Sequence, residues 1–173
     1  PHLVNTVEGL AIAAGIPTPK IYVIDDTAIN AFATGRSPQH AAVTVTTGCL
    51  QRLKRDELEG VLAHELSHIK NYDIRYMLVV VMMMGITLIL SDFLLRSLWM
   101  GGGRRDNDKG NAILLVIGLA LAILGPIAVR LIQLAVSRQR EFLADASGAM
   151  LTRYPPGLAN ALKKIRDDKE PLV

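Results

Sequence analysis

A single cysteine, Cys49, leaves the chain without an internal disulfide and suits a reducing compartment. It reads as a small buried hydrophobe rather than a nucleophile. Histidine is scarce: His2, His40, His64 and His68 are the only four, so a metal site has few imidazoles to draw on. Charged residues make up 20% of the chain, below the usual quarter. The 19 basic residues are scattered, with no basic patch interleaved with aromatics, so nucleic-acid binding is not indicated. What the chain does have is apolar surface, with 50% hydrophobic residues and a mean hydropathy of +0.31. Its 173 residues suffice for one domain with a real core. It begins at Pro1 rather than Met and carries no signal peptide of its own, so it reads as part of a longer protein.

Two of the four histidines sit close together. Val61-Leu62-Ala63-His64-Glu65-Leu66-Ser67-His68-Ile69-Lys70 contains His-Glu-x-x-His. On an α-helix, positions i and i+4 share a face one turn apart. His64 and His68 can therefore turn two imidazoles toward one metal ion. Neutral imidazole is a good zinc ligand, and water on such a zinc has a pKa of about 7. Glu65 beside the first ligand can take that proton and pass it on. The local sequence supports the helix. Asp56 is an N-cap candidate with Glu59 as its capping-box partner, and Glu57 and Glu59 suit the first turn. A chance match on a core helix is the competing reading, and the rest of the chain weighs against it.

Upstream, Leu3, Val7, Leu10, Ile12 and Ala14 recur at helical spacing from His2 to Ala14, and Gly15, Pro17 and Pro19 end the run. Lys20-Ile21-Tyr22-Val23-Ile24 reads as a strand. Residues 30–35 read as extended, and residues 41–47 alternate apolar and hydroxyl side chains as a half-buried strand broken by Gly48. A small sheet thus precedes the motif helix. A peptide can bind as an added strand along a sheet edge, and residues 30–35 and 41–47 are the candidate edges. An ordinary hairpin beneath the helix is the equal alternative.

Beyond the motif the sequence offers no stop. Asn71-Tyr72-Asp73-Ile74-Arg75 leads into uncharged residues 76–91, then Asp92 and Arg96. A glycine-rich polar loop covers residues 101–110, and residues 110–129 form a second uncharged stretch with Pro126 near its end. A membrane-spanning helix needs about 20 apolar residues. The second stretch qualifies, and the first does so if Asp92 lies at the interface, where Trp99 would also sit well. The pattern predicts an α+β fold: a mainly helical zincin-type catalytic domain with a small β-sheet and an inserted two-helix transmembrane hairpin. Residues 1–75 hold a helix, the sheet and the motif helix. Residues 76–129 hold the hairpin. Residues 130–173 hold the helix of the third ligand and a C-terminal helix. Buried helices of a soluble core are the alternative, and apolar residues all round both segments argue against it. The distribution of basic residues leans toward a cytoplasmic active-site side. Eight helical residues from His68 to Tyr76 set the metal roughly 12 Å above the lipid.

A catalytic zinc needs three protein ligands and an open position. After the hairpin comes Ser137-Arg138-Gln139-Arg140-Glu141-Phe142-Leu143-Ala144-Asp145, where Glu141 and Asp145 are the best carboxylates. A hairpin makes its flanking helices antiparallel. With Glu141 level with His68, Asp145 comes level with His64 and can back its non-ligating nitrogen. In the same register Asp73 and Arg138 come to similar heights and can pair.

These three segments, Asn30-Ala31-Phe32-Ala33-Thr34-Gly35, His64 to Ile74 and Ser137 to Asp145, resemble the HtpX-type membrane zinc endopeptidases. Those enzymes are relatives of the CAAX prenyl endopeptidases within the gluzincins. The resemblance covers nearly the whole chain. It implies one zinc per chain on His64, His68 and Glu141, with Glu65 as general base. It implies that residues 30–35 line the substrate cleft, with Asn30, Ala31, Phe32 and Arg140 as candidate substrate contacts. It further implies quality-control cleavage of unfolded or damaged membrane proteins in the bacterial cytoplasmic membrane, by a multi-pass protein embedded in the lipid bilayer whose active site faces the cytoplasm. The family usually carries two more membrane helices upstream and a further C-terminal segment, and this chain has neither. A CAAX-type prenyl protease and a non-catalytic membrane scaffold with a structural metal are the competing readings.

Overall fold

The computed structural model describes residues 2–100 and 108–168. The elements run α1 (His2–Ala14), β1 (Lys20–Ile24), β2 (Ala31–Gly35), β3 (Ala41–Thr46), α2 (Thr47–Arg52), α3 (Arg55–Lys70), α4 (Asp73–Met100), α5 (Asp108–Thr152) and α6 (Pro155–Asp167), with a 3-10 turn at Pro38–His40. They divide into two compact units: Pro1–Tyr76 with Gln139–Val173, and Met77–Arg138.

In the first unit, α3 is the centre of the core. Leu58, Val61, Leu62, Leu66 and Ile69 recur at helical spacing and are buried. They join Val7 and Leu10 of α1, Val43 and Val45 of β3, and Leu158 and Ala161 of α6 in one apolar cluster. Burying each large aliphatic side chain contributes about 1.5–3 kcal/mol. Gly60 lets α6 come close, since a Cβ there would lie 2.5 Å from the backbone nitrogen of Leu158.

The sheet has the order β1-β3-β2, with β1 parallel and β2 antiparallel to β3. β3 is therefore the central strand, and both of its edges are paired. This corrects the expectation that residues 41–47 offer an edge to a peptide. Of the two candidate segments only β2 has a side left unpaired by a strand among the described residues. β3 is also more deeply buried than a half-buried strand, because it carries one sheet neighbour on each side and α3 nearby. Thr46, the last residue of β3, caps α2 by accepting the N–H of Cys49 at 3.1 Å.

Two local expectations about the motif helix are corrected. Its N-cap is Lys54, not Asp56, and Glu57 rather than Glu59 reaches back to accept the Lys54 N–H at 2.7 Å. The helix also stops at Lys70. Tyr72 takes a left-handed backbone (φ 56), and α4 starts afresh at Asp73. Heights reckoned along one unbroken helix from His68 to the apolar span do not hold.

The second unit holds most of α4 and the first part of α5. Among the described residues, one helix is long and apolar enough to cross a membrane: Asp73–Phe93, with mean hydropathy 2.1 and none of its window buried. α4 and α5 lie side by side at Gly125, where an added Cβ would sit 3.8 Å from Thr87 Cγ2. Of the loop expected at residues 101–110, residues 108–110 already belong to α5, and residues 101–107 lie outside the described residues.

Candidate metal centre

Two helices of the first unit supply the chemistry. α3 places His64 and His68 one turn apart, with ring centroids 4.7 Å apart and the rings at 87°. The last part of α5 brings Glu141 and Asp145 to them. Gly148 makes this approach possible. It lies two turns beyond Glu141 on the same face, and an added Cβ would sit 3.0 Å from the His64 backbone nitrogen. Ala144 on the same helix is fully buried.

His64 Nε2 and His68 Nε2 face each other at 3.1 Å. Glu141 Oε1 lies 3.2 Å from His64 Nε2, and its Oε2 lies 3.8 Å from His68 Nε2. One ligand atom from each of the three residues falls within 4.8 Å of the others. Zinc bonds of about 2.0–2.2 Å in tetrahedral geometry require ligand atoms about 3.3 Å apart. The 3.1 Å between the imidazoles and the 3.2 Å from Glu141 Oε1 to His64 lie near that value, the second Glu141 oxygen reaches toward His68, and two imidazoles with one carboxylate are a donor set suited to zinc. The residues present fit a metal ion.

Both imidazoles are backed by carboxylates. Asp145 Oδ1 lies 2.9 Å from His64 Nδ1, without the alignment of a full hydrogen bond. Asp73 Oδ2 hydrogen-bonds His68 Nδ1 at 2.6 Å. Asp73 also meets the guanidinium of Arg140. Arg140 is thus a basic partner of Asp73. The turn at Asn71–Tyr72 separates the helix that carries His68 from the one that begins at Asp73. Arg140 also donates to the carbonyl of Asn71 and lies 5.4 Å from the centre of the Tyr76 ring.

Glu65 points to the sheet. Its Oε2 accepts the backbone N–H of Ala33 at 2.8 Å. That N–H faces away from β3, so the carboxylate sits at the open edge of β2. Burial pushes the Glu65 carboxyl above the ordinary carboxylate range, against the opposing pull of His64, His68 and the Ala33 N–H, and the Glu141 charge adds to the rise.

Ala31 and Ala33 pack toward the core, while Phe32 turns outward at 37% exposure. Asn30 is held through its backbone: its carbonyl accepts the Thr46 N–H at 3.0 Å, and its N–H donates to Thr46 Oγ1 at 3.1 Å. Sequence reasoning missed Ala33 as the partner of Glu65, Asp73 as the partner of His68, and Gly148. Of these only Gly148 left a signal, a small residue seven positions after Glu141.

The chain belongs to peptidase family M48, whose family model matches residues 1–167. It is 56% identical over 172 residues to a protease HtpX homolog of Dictyoglomus turgidum, covering 99% of this chain and 56% of that protein. It is 53% identical to one from Thermoanaerobacter pseudethanolicus, covering 97% of this chain and 58% of that protein. The chain thus spans a little over half the length of these relatives. The crystal structure of S. mikatae Ste24p superposes with a TM-score of 0.64 at 25% identity, over 95% of this chain and 42% of that one.

Proposed function

We propose that this chain forms the catalytic portion of a membrane-bound zinc endopeptidase, with one zinc held by His64, His68 and Glu141. The observation that carries the reading is the placement of Glu65. It stands beside the three-residue ligand group and, through Ala33, at the open edge of β2. Zinc bound there would supply Lewis-acid polarisation of a carbonyl and acidify a water. The residues of the chain do the rest. β2 offers backbone groups to which an extended polypeptide can add as a strand. Phe32 on the outward face contacts its side chains. Glu65 takes the proton from the attacking water and hands it to the leaving amine. Asp73 holds the His68 imidazole in one tautomer with Nε2 free to ligate, and Asp145 stands beside His64 Nδ1.

We assign residues 1–75 and 130–173 to the catalytic domain and residues 76–129 to an inserted membrane hairpin. The apolar span Asp73–Phe93 begins five residues after His68, so cleavage takes place close to a lipid surface. Substrates are unfolded polypeptides and damaged membrane proteins, and the role is quality control. The site faces the cytoplasm of a bacterial cell, in the cytoplasmic membrane. Relatives at 53–56% identity bearing the HtpX name favour this reading over a prenyl protease.

Chelation tests the proposal. Treating the detergent-solubilised protein with 1,10-phenanthroline should abolish cleavage of casein, and one equivalent of zinc should restore it. Casein should also be cut in preference to a prenylated peptide. Cleavage that survives complete metal removal would refute the assignment.

A further inference from the structure

We propose that Asp73, clamped by Arg140, sets the metal affinity of the His64–His68–Glu141 group, and that it does so through His68. The inference rests on the metal-centre reading above and adds to it which residue governs affinity.

The two imidazoles are backed unequally. His68 Nδ1 makes a 2.6 Å hydrogen bond to Asp73, whose side chain is only 7% exposed. His64 Nδ1 lies 2.9 Å from Asp145, but out of line, and that side chain is 41% exposed. An exposed carboxylate exchanges an imidazole for water at little cost. A buried one cannot let go without leaving a charge unpaired in a poor solvent. Asp73 is therefore the firmer hold.

Its grip is reinforced from the other side. Arg140 forms an ion pair with Asp73 at Oδ1 while His68 hydrogen-bonds Oδ2. Arg140 is itself tethered by the carbonyl of Asn71 and the face of Tyr76. This arrangement keeps the His68 proton on Nδ1 and leaves the Nε2 lone pair facing His64 and Glu141. Arg140 precedes Glu141 on α5, so one helix supplies both a ligand and the clamp of another ligand. Asp73 is also the first residue of α4, so the apolar helix begins at the group that orients the metal site. Asp73 is a positioning residue, since it acts on the metal only through His68.

The test is zinc affinity in detergent micelles, measured by competition with a chromophoric chelator. Asp73→Asn should bind roughly 10- to 100-fold more weakly than wild type, and Asp145→Asn should lose less than Asp73→Asn. Arg140→Gln should weaken binding, and Arg140→Lys should recover part of that loss. Cobalt(II) in place of zinc supplies a readout that general destabilisation does not move. At saturating cobalt the visible ligand-field band of Asp73→Asn should shift, while that of Asp145→Asn stays near wild type. If Asp73→Asn does not fold, the two Arg140 variants carry the same expectation. Affinity unchanged in Asp73→Asn or in Arg140→Gln, or a larger loss in Asp145→Asn, would overturn the inference. A wild-type protein that binds no zinc would overturn the metal-centre reading, and this inference with it.

Discussion

Glu65 Oε2 and the backbone N–H of Ala33 meet at 2.8 Å, joining the motif helix to the open edge of β2. In the proposed mechanism the contact fixes Glu65 in line with the strand on which a substrate would lie. It is made by a backbone atom, so no side-chain substitution at position 33 can remove it, but proline can.

Ala33→Pro deletes that N–H. β2 is an edge strand, and this N–H is not used in pairing with β3, so the sheet tolerates the ring better than a central strand would. A hydrogen bond to a charged group contributes about 1.5–3 kcal/mol, which corresponds to a loss of roughly 10- to 100-fold in casein cleavage. Zinc content should stay at the wild-type level. Equal cleavage by the variant and the wild type would show that the contact does not position Glu65.

Gly148→Leu tests the approach of α5 to α3. Even a Cβ at this position lies 3.0 Å from the His64 nitrogen and 3.2 Å from its Cα. A leucine forces the helices apart at a cost of about 1–3 kcal/mol. Because Glu141 and Asp145 ride on the same helix, zinc affinity should fall along with melting temperature. Gly148→Ala should do the same more mildly. A leucine variant with wild-type zinc affinity would mean that the spacing of the two helices does not set the ligand geometry.

The Glu57–Lys164 pair gives a pH dependence. Burial alone would raise the Glu57 carboxyl, but the hydrogen bonds from Lys164 and the Lys54 N–H, with the charges of both lysines, carry it below the ordinary 4.5. The folded value is thus lower than the unfolded one. The stabilisation is present above pH 4.5 and is lost as pH falls through the folded value. Glu57→Gln should cost about 1–3 kcal/mol at pH 7. Thermal melts of the two proteins should converge on acidification toward pH 3. A gap that stays constant with pH would assign the effect to packing instead of charge.

The parts of the fold and site that local pattern determines were legible in the sequence. α1 and β1 run over the residues that their spacing predicts, because turn residues bound each one. The His64–Glu65–His68 face follows from helical geometry alone. Long-range choices were not legible. Which strand lies in the middle of the sheet depends on a parallel β1–β3 pairing that no local signal reveals. The stop after Lys70 depends on one left-handed residue, Tyr72, and tyrosine carries no preference for that backbone. Because that stop was not visible, the contact of Asp73 with Arg140 was not anticipated. Level placement of Asp145 and His64 needed only antiparallel helices, and the structure puts them 2.9 Å apart.

The most direct measurement compares zinc content and casein cleavage in wild type, Glu65→Gln and Glu141→Gln, side by side. The proposed mechanism requires one zinc and cleavage in wild type, zinc without cleavage in Glu65→Gln, and neither in Glu141→Gln. Cleavage by Glu65→Gln at the wild-type rate, or full zinc retention at wild-type affinity in Glu141→Gln, would contradict it.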